Sequence, residues 1–260
     1  NEHIFPGLDI ITDLLKNPIF DPKKFEKEKK VILEEIKMYH DSPDRDVYRI
    51  IEENLYEKPF GIGVIGTTET VSALNRDYVY DYFKKNYGTE NYIVVIVGNA
   101  DFDKICDYLE KNFEKSKVKL SPKKPKMVNN ESREERKGID QAHFIFGMHA
   151  PMTDDPYHYA FELLDAYLAN GMSSKLFLKI REEKGLAYAV RSSIFAEKNY
   201  SYYTIYVGTM KEAIDEVRKI ILEEFDNVKN MTEKDLNEAK ERLIGLKKVS
   251  SEESINVMSD

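Results

Sequence analysis

Two glutamates on one helical stripe are the first residues in the chain whose types and spacing suggest chemistry. The run from Asp21 to His40, DPKKFEKEKKVILEEIKMYH, has helical periodicity. At about 100° per residue with Phe25 at zero, Ile32, Ile36 and Tyr39 fall within about 40° of it, and Val31 and Met38 extend the apolar arc to about 220°. Glu28 at about 300° and Glu35 at about 280° lie inside that arc, two turns apart, whereas Lys27, Lys30, Glu34 and Lys37 take the other side. A carboxylate turned inward is costly unless it is paired, protonated or bound to a cation. Both glutamates are therefore expected to face the interior opposite something positive, or to sit at the edge of the arc and reach water. The geometry alone does not choose between a basic side chain and a metal ion.

The elements that must position them follow from pattern. Helices are expected near Gly7–Lys16, Pro22–Tyr39, Asp44–Tyr56, Asn75–Tyr87 and Phe102–Phe113, with a buried β-branched strand at Asn91–Asn99. Ser121–Lys137, SPKKPKMVNNESREERK, combines prolines, an Asn pair and dense charge and reads as a linker. Beyond it come a strand at Ala142–Met148 and helices at Pro156–Leu168 and Ser174–Glu183, the second closed by Gly185. Strands at Ala187–Ala196 and Tyr200–Val207 follow, then helices at Lys211–Val228 and Glu233–Val249. The final helix repeats the second at an offset of about 211 residues, which sets Ala239 and Leu246 where Glu28 and Glu35 stand. Such a unit does not fit twice into 260 residues. The expectation is a chain cut at both ends, with about 70 residues belonging before Asn1.

Composition narrows the function class. With 39 Lys+Arg against 47 Asp+Glu the net charge is −8, which argues against nucleic acid as a partner. Cys106 is the one cysteine, so no internal disulfide is possible. The longest apolar run, Tyr92–Val97, is too short for a transmembrane helix. A cytoplasmic protein with no membrane partner is expected.

Four segments, FEKEKKVILEEIKMYHDSPD (Phe25–Asp44), PFGIGVIGT (Pro59–Thr67), IVVIVGNAD (Ile93–Asp101) and NGMSSKLFLKIREEKGLAYAV (Asn170–Val190), together resemble the pitrilysin/insulinase family of zinc peptidases. The likeness is to its short bacterial members and to the mitochondrial processing peptidase. It implies an α+β fold of two related α/β-sandwich domains of the mitochondrial-processing-peptidase-like metallohydrolase type, each incomplete here. Residues 1–120 would be the C-terminal part of the first, zinc-side domain, 121–137 a linker, and 138–260 the N-terminal part of the second, substrate-binding domain. By the same resemblance Glu35 is a zinc ligand, Glu28 a catalytic-site carboxylate that orients or supports the metal, and Arg181 and Tyr188 hold the substrate backbone and assist at the scissile carbonyl. The resemblance implies zinc as the cofactor, a peptide or unfolded protein segment as the substrate, and a homodimer in the full-length form.

The family's inverted zinc motif, His-x-x-Glu-His, is absent: His3, His40, His143, His149 and His158 are the only histidines, and none has the spacing. The remaining zinc ligands are expected in the segment before Asn1. The leading expectation is a zinc endopeptidase of the inverzincin type, inactive as the fragment given. The alternative is a non-catalytic member acting as a structural or substrate-binding partner. A third, an unrelated acidic binding module, would be favoured by exposure of Glu35. Plainer readings suit the rest: His158 as structural or solvent-facing, Cys106 as core packing, and Lys198–Gly208 as a strand with alternating exposed tyrosines, placed where an edge could add a peptide.

Overall fold

A computed structural model describes residues 3–118 and 123–259. The helices in chain order are α1 (Ile4–Lys16), α2 (Pro22–His40), α3 (Pro43–Leu55), α4 (Thr68–Ala73), α5 (Arg76–Asn86), α6 (Phe102–Asn112), α7 (His158–Leu168), α8 (Ile214–Asn227), α9 (Glu233–Ser250) and α10 (Ser254–Ser259). Three strands, β1 (Ala142–His149), β2 (Ala187–Ala196) and β3 (Ser201–Thr209), form one antiparallel sheet in the order β1-β3-β2. The fold is α+β. The chain separates into two compact units, one built from the chain up to Glu35, Thr67–Lys123 and the stretch from Lys248 onward, the other from Ile36–Gly66 and Lys124–Lys247. Among the described residues no helix is long and apolar enough to cross a membrane.

In the first unit helix starts are set by side chains that accept the otherwise unpaired first-turn N–H groups. Thr67 and Thr70 form a reciprocal capping box on α4, Asn75 caps α5, and Asp101 caps α6. The apolar surface is thinly covered. No residue of α2 is buried, and Ile10, Ile11 and Leu14 of α1 are exposed. The strand expected at Asn91–Asn99 is not formed: Tyr92–Gly98 lies outside regular structure, with Ile93 90% exposed. A β-branched run becomes a strand only beside a neighbour that completes its hydrogen bonds, and the described residues hold a single three-stranded sheet to which this run does not belong.

The second unit is organised around β3, whose nine residues are all buried. Alternate side chains leave opposite faces of a strand, and both faces here are covered. Tyr203, Ile205 and Val207 join Leu168 of α7, Ile180, and Val217 and Ile221 of α8 in the main core. Tyr202, on the other face, clusters with Ile51 and Leu55 of α3 and with Tyr56. This corrects the sequence expectation for Lys198–Gly208: β3 is the central strand, not an edge, and Tyr202, Tyr203 and Tyr206 are all buried. Cys106, in the first unit, is half-buried rather than in the core.

Each buried tyrosine hydroxyl needs a partner. Tyr202 donates to Glu52 at 2.6 Å, Tyr203 to Asp165 at 2.7 Å, and Tyr56 to the Ser201 carbonyl at 2.8 Å. The expected linker is laid along α3 where it is described, its first two residues lying outside the described part. The Val128 and Asn130 amides donate to Leu55 and Asn54 carbonyls, and Arg136 pairs with Asp46. Asp46 is 3% exposed. Burial pushes its carboxyl up, but hydrogen bonds and charge from Arg49 and Arg136 outweigh burial and hold it below the ordinary range.

Asp165 is the opposite case. Burial raises its carboxyl above the ordinary 3.8, and the hydrogen bonds it accepts, among them Tyr203 at 2.7 Å and Asn170 at 3.1 Å, offset only part of that. Because the folded value is the higher one, ionising Asp165 costs the native state, and this cost appears as pH rises through the raised value. Thermal unfolding of Asp165→Asn and the parent between pH 4 and 7 should show the variant gaining on the parent as pH rises; an offset constant across that range contradicts the assignment.

Candidate substrate-binding site

Arg181 and Tyr188 are brought together by a tight connection between a helical segment and a strand. The segment after Ser174 is helical as expected, but Phe177–Glu183 is wound as a π-helix, a rare turn associated with functional positions. Leu176 and Ile180, both fully buried, anchor it to the core. Gly185 closes it in the left-handed region at φ +60°, where glycine carries no Cβ penalty. The Gly185 amide donates to the Arg181 carbonyl and the Leu186 amide to the Ile180 carbonyl. The chain thereby turns back so that Arg181 Nη1 donates to the Tyr188 carbonyl at 3.0 Å, while the guanidinium lies over the Phe177 ring at 5.0 Å.

Tyr188 occupies a β-bulge. Ala187 pairs with Thr209 and Ala189 with Gly208, which leaves Tyr188 as the extra residue of β2. A bulge re-aims the side chain it carries. The Tyr188 ring lies across β3 over Gly208, where an added Cβ would collide with it, and its hydroxyl reaches the Tyr206 hydroxyl at 3.2 Å. Tyr188 nonetheless stays 47% exposed, and the Arg181 side chain 45%. Arg181 has five N–H donors, and one of them is fixed on Tyr188. The arrangement is a cation and a tyrosine, both partly exposed and both held by neighbours, of a kind that donates hydrogen bonds to carbonyl oxygens.

Glu28 and Glu35 are placed otherwise than their periodicity implied. Both are exposed. The half-buried side of α2 is Phe25, Lys29, Ile32, Leu33 and Ile36, so the helix is rolled such that the glutamates share an outward flank with Val31, Met38 and Tyr39, each more than 40% exposed. The apolar arc was wider than the surface that covers it, and its uncovered part holds the two carboxylates. The burial cost that argued for a cation opposite them is thus absent in this structure. Zinc takes three or four protein ligands; among the described residues no group of three or more His, Cys, Asp or Glu side chains could hold a metal ion. The two carboxylates do not by themselves fit a zinc site. His158, half-buried on α7, sits 3.7 Å from Glu162.

The stretch 73–243 matches the family profile described as "Peptidase M16 inactive domain". The chain belongs to the M16 peptidase family. An "uncharacterized zinc protease YmxG" of Bacillus subtilis is 31% identical over 264 residues, covering 100% of this chain and 64% of that protein. An "uncharacterized zinc protease SCO5738" of Streptomyces coelicolor is 29% identical over 233 residues, covering 85% of this chain and 51% of that one. The M16 chain thus spans about half to two thirds of these relatives. A crystal structure of a protease from Helicobacter pylori has the same fold, with a TM-score of 0.83 at 20% identity over 98% of this chain and 65% of that one. Membership removes the unrelated acidic module, although Glu35 is exposed as that reading required. Arg181 and Tyr188 lie inside the matched stretch and Glu28 and Glu35 outside it.

His143, Tyr206 and Gly208 were not singled out as site residues by the sequence. The one available signal was spacing: Tyr206 and Gly208, two apart on a strand, share a face. Gly208→Ala should displace the Tyr188 ring and cost about 1–3 kcal/mol in denaturant unfolding; a variant as stable as the parent, with Tyr188 unmoved in its crystal structure, contradicts this packing.

Proposed function

We propose that this chain is part of a zinc-dependent endopeptidase acting on peptides or unfolded protein segments, to which it contributes the groups that grip the substrate backbone. The observation that carries the reading is the Arg181–Tyr188 pair: an arginine held at 3.0 Å on the carbonyl of a bulged tyrosine, both side chains about half in water. Arg181 takes a main-chain carbonyl of an extended peptide. Tyr188 donates its hydroxyl to the carbonyl oxygen on which negative charge develops, where a prepositioned donor acts most strongly. On this reading residues 138–260 form the substrate-binding domain and residues 1–120 the zinc-side domain. Glu35 is a zinc ligand and Glu28 a supporting catalytic-site carboxylate, with inverzincin-type chemistry completed by ligands that the described residues do not supply. Both sets of groups on one chain favour a homodimer, and a single cysteine with no disulfide suits a cytoplasmic setting.

A second reading has its own support. The matched profile is that of the inactive domain, and exposed glutamates need no metal to be tolerated, so a non-catalytic member that holds or scaffolds a partner accounts for the same surface. The test is hydrolysis of a quenched fluorescent peptide by the protein expressed from its full reading frame, with zinc and with chelator. Tyr188→Phe should lower kcat about 100-fold, the scale of removing one such donor, and Arg181→Ala should chiefly raise KM. Zinc-independent silence in the parent, with unchanged peptide binding in both variants, contradicts the endopeptidase reading and the grip alike.

A further inference from the structure

The hydrogen bonding at Tyr188 continues past Tyr206. The Tyr206 hydroxyl lies 2.8 Å from His143 Nδ1 and 3.2 Å from the Tyr188 hydroxyl, so a single chain of contacts crosses the sheet from β1 through β3 to β2. Tyr206 is 3% exposed and stacks against Tyr48 of α3 with ring centroids 6.0 Å apart. Turning away from both partners would leave its buried hydroxyl unsatisfied. His143 pairs across the ladder with Gly208, the residue over which the Tyr188 ring lies. The bulge, the bare strand position and the two hydroxyl contacts all act on one side chain.

We propose that His143 and Tyr206 are positioning residues for Tyr188: in the substrate complex His143 donates from Nδ1 to the Tyr206 oxygen, Tyr206 donates to the Tyr188 oxygen, and the Tyr188 O–H is left pointing at the substrate carbonyl. The proposal rests on the substrate-gripping role given to Tyr188 above. Direction is what makes the chain useful. A tyrosine whose oxygen already accepts a hydrogen bond is a better donor, because linked hydrogen bonds polarise one another, and its proton can be offered only outward. The opposite polarity, with Tyr188 donating to Tyr206 and Tyr206 to a neutral His143, would spend the proton inside the sheet. Substrate binding selects the outward polarity, since only that polarity gives the carbonyl a donor. Burial holds His143 toward its neutral form, in which one ring nitrogen carries a proton and Nδ1 can be that nitrogen.

Tyr206→Phe keeps the ring and its stacking and removes only the hydroxyl. In the full-length protein it should lower kcat for peptide hydrolysis about 10- to 100-fold, the range expected for a misplaced catalytic group, with KM little changed. Tyr188→Phe/Tyr206→Phe should be no worse than Tyr188→Phe alone. His143→Gln, which retains a donor, should recover most of the kcat lost in His143→Ala. Additive losses in the double variant, or a Tyr206→Phe enzyme with parental kcat while Tyr188→Phe is impaired, overturn the positioning role and leave the gripping role intact. A parental kcat in Tyr188→Phe overturns both. Fluorotyrosine at position 188 gives a readout independent of turnover: its ¹⁹F resonance should be single in the parent and shifted or broadened by Tyr206→Phe, and an unaltered resonance overturns the proposal.

Discussion

Burial of β3 on both faces is the constraint from which the rest of the second unit follows. A strand covered on one side only can turn its polar atoms to water; β3 cannot, and it carries three tyrosines within Ser201–Thr209. Their rings supply apolar area to both cores, but each hydroxyl then requires a partner from a neighbouring element. Tyr202 finds Glu52 on α3, Tyr203 finds Asp165 on α7, and Tyr206 finds His143 on β1 together with Tyr188 on β2. The sheet order and the placement of α3 and α7 against its two faces are thereby pinned by polar contacts as well as by packing. At the candidate site the bulge brings Tyr188, 47% exposed, into contact with the buried Tyr206.

The two units differ in how much of their apolar surface is covered, and this difference separates the two halves of the functional reading. Arg181 and Tyr188 stand on a connection anchored by fully buried Leu176 and Ile180, so their geometry is determined by a dense core. Glu28 and Glu35 stand on a helix with no buried residue, beside exposed Val31, Met38 and Tyr39. A metal site needs ligands held rigidly by packing and by further hydrogen bonds. The described residues give these carboxylates neither, whereas they give the tyrosine both. Of the two sets of groups in the proposal, the Arg181–Tyr188 pair is the one whose geometry is fixed by a packed core.

Much of the architecture was legible in the sequence because local patterns and tertiary packing agree there. The helix at Glu233, the strand at Ala187 and the stop at Gly185 are written in periodicity, alternation and a residue tolerant of positive φ. Legibility failed where the answer depends on a distant neighbour. Residues 92–98 have the composition of a strand and no described strand to join. Lys198–Gly208 alternates in a way that reads as one-sided until α3 is known to cover its second face. An inward turn of Glu28 and Glu35 requires the whole apolar arc to be covered, and of the apolar residues of α2 only Phe25, Ile32, Leu33 and Ile36 are even half-buried. The π-turn at Phe177–Glu183 has no signature in sequence spacing, and the seat of Tyr188 arises from how β2 and β3 pair.

The measurement that bears most directly on the central claim is a crystal structure of the full-length protein bound to an uncleaved peptide. The account predicts an extended peptide whose main-chain carbonyl oxygens lie within hydrogen-bonding distance of the Tyr188 hydroxyl and the Arg181 guanidinium, with Tyr206 still in contact with both His143 and Tyr188. A peptide bound away from these side chains, or one that draws Tyr188 off Gly208 and out of reach of Tyr206, would contradict it.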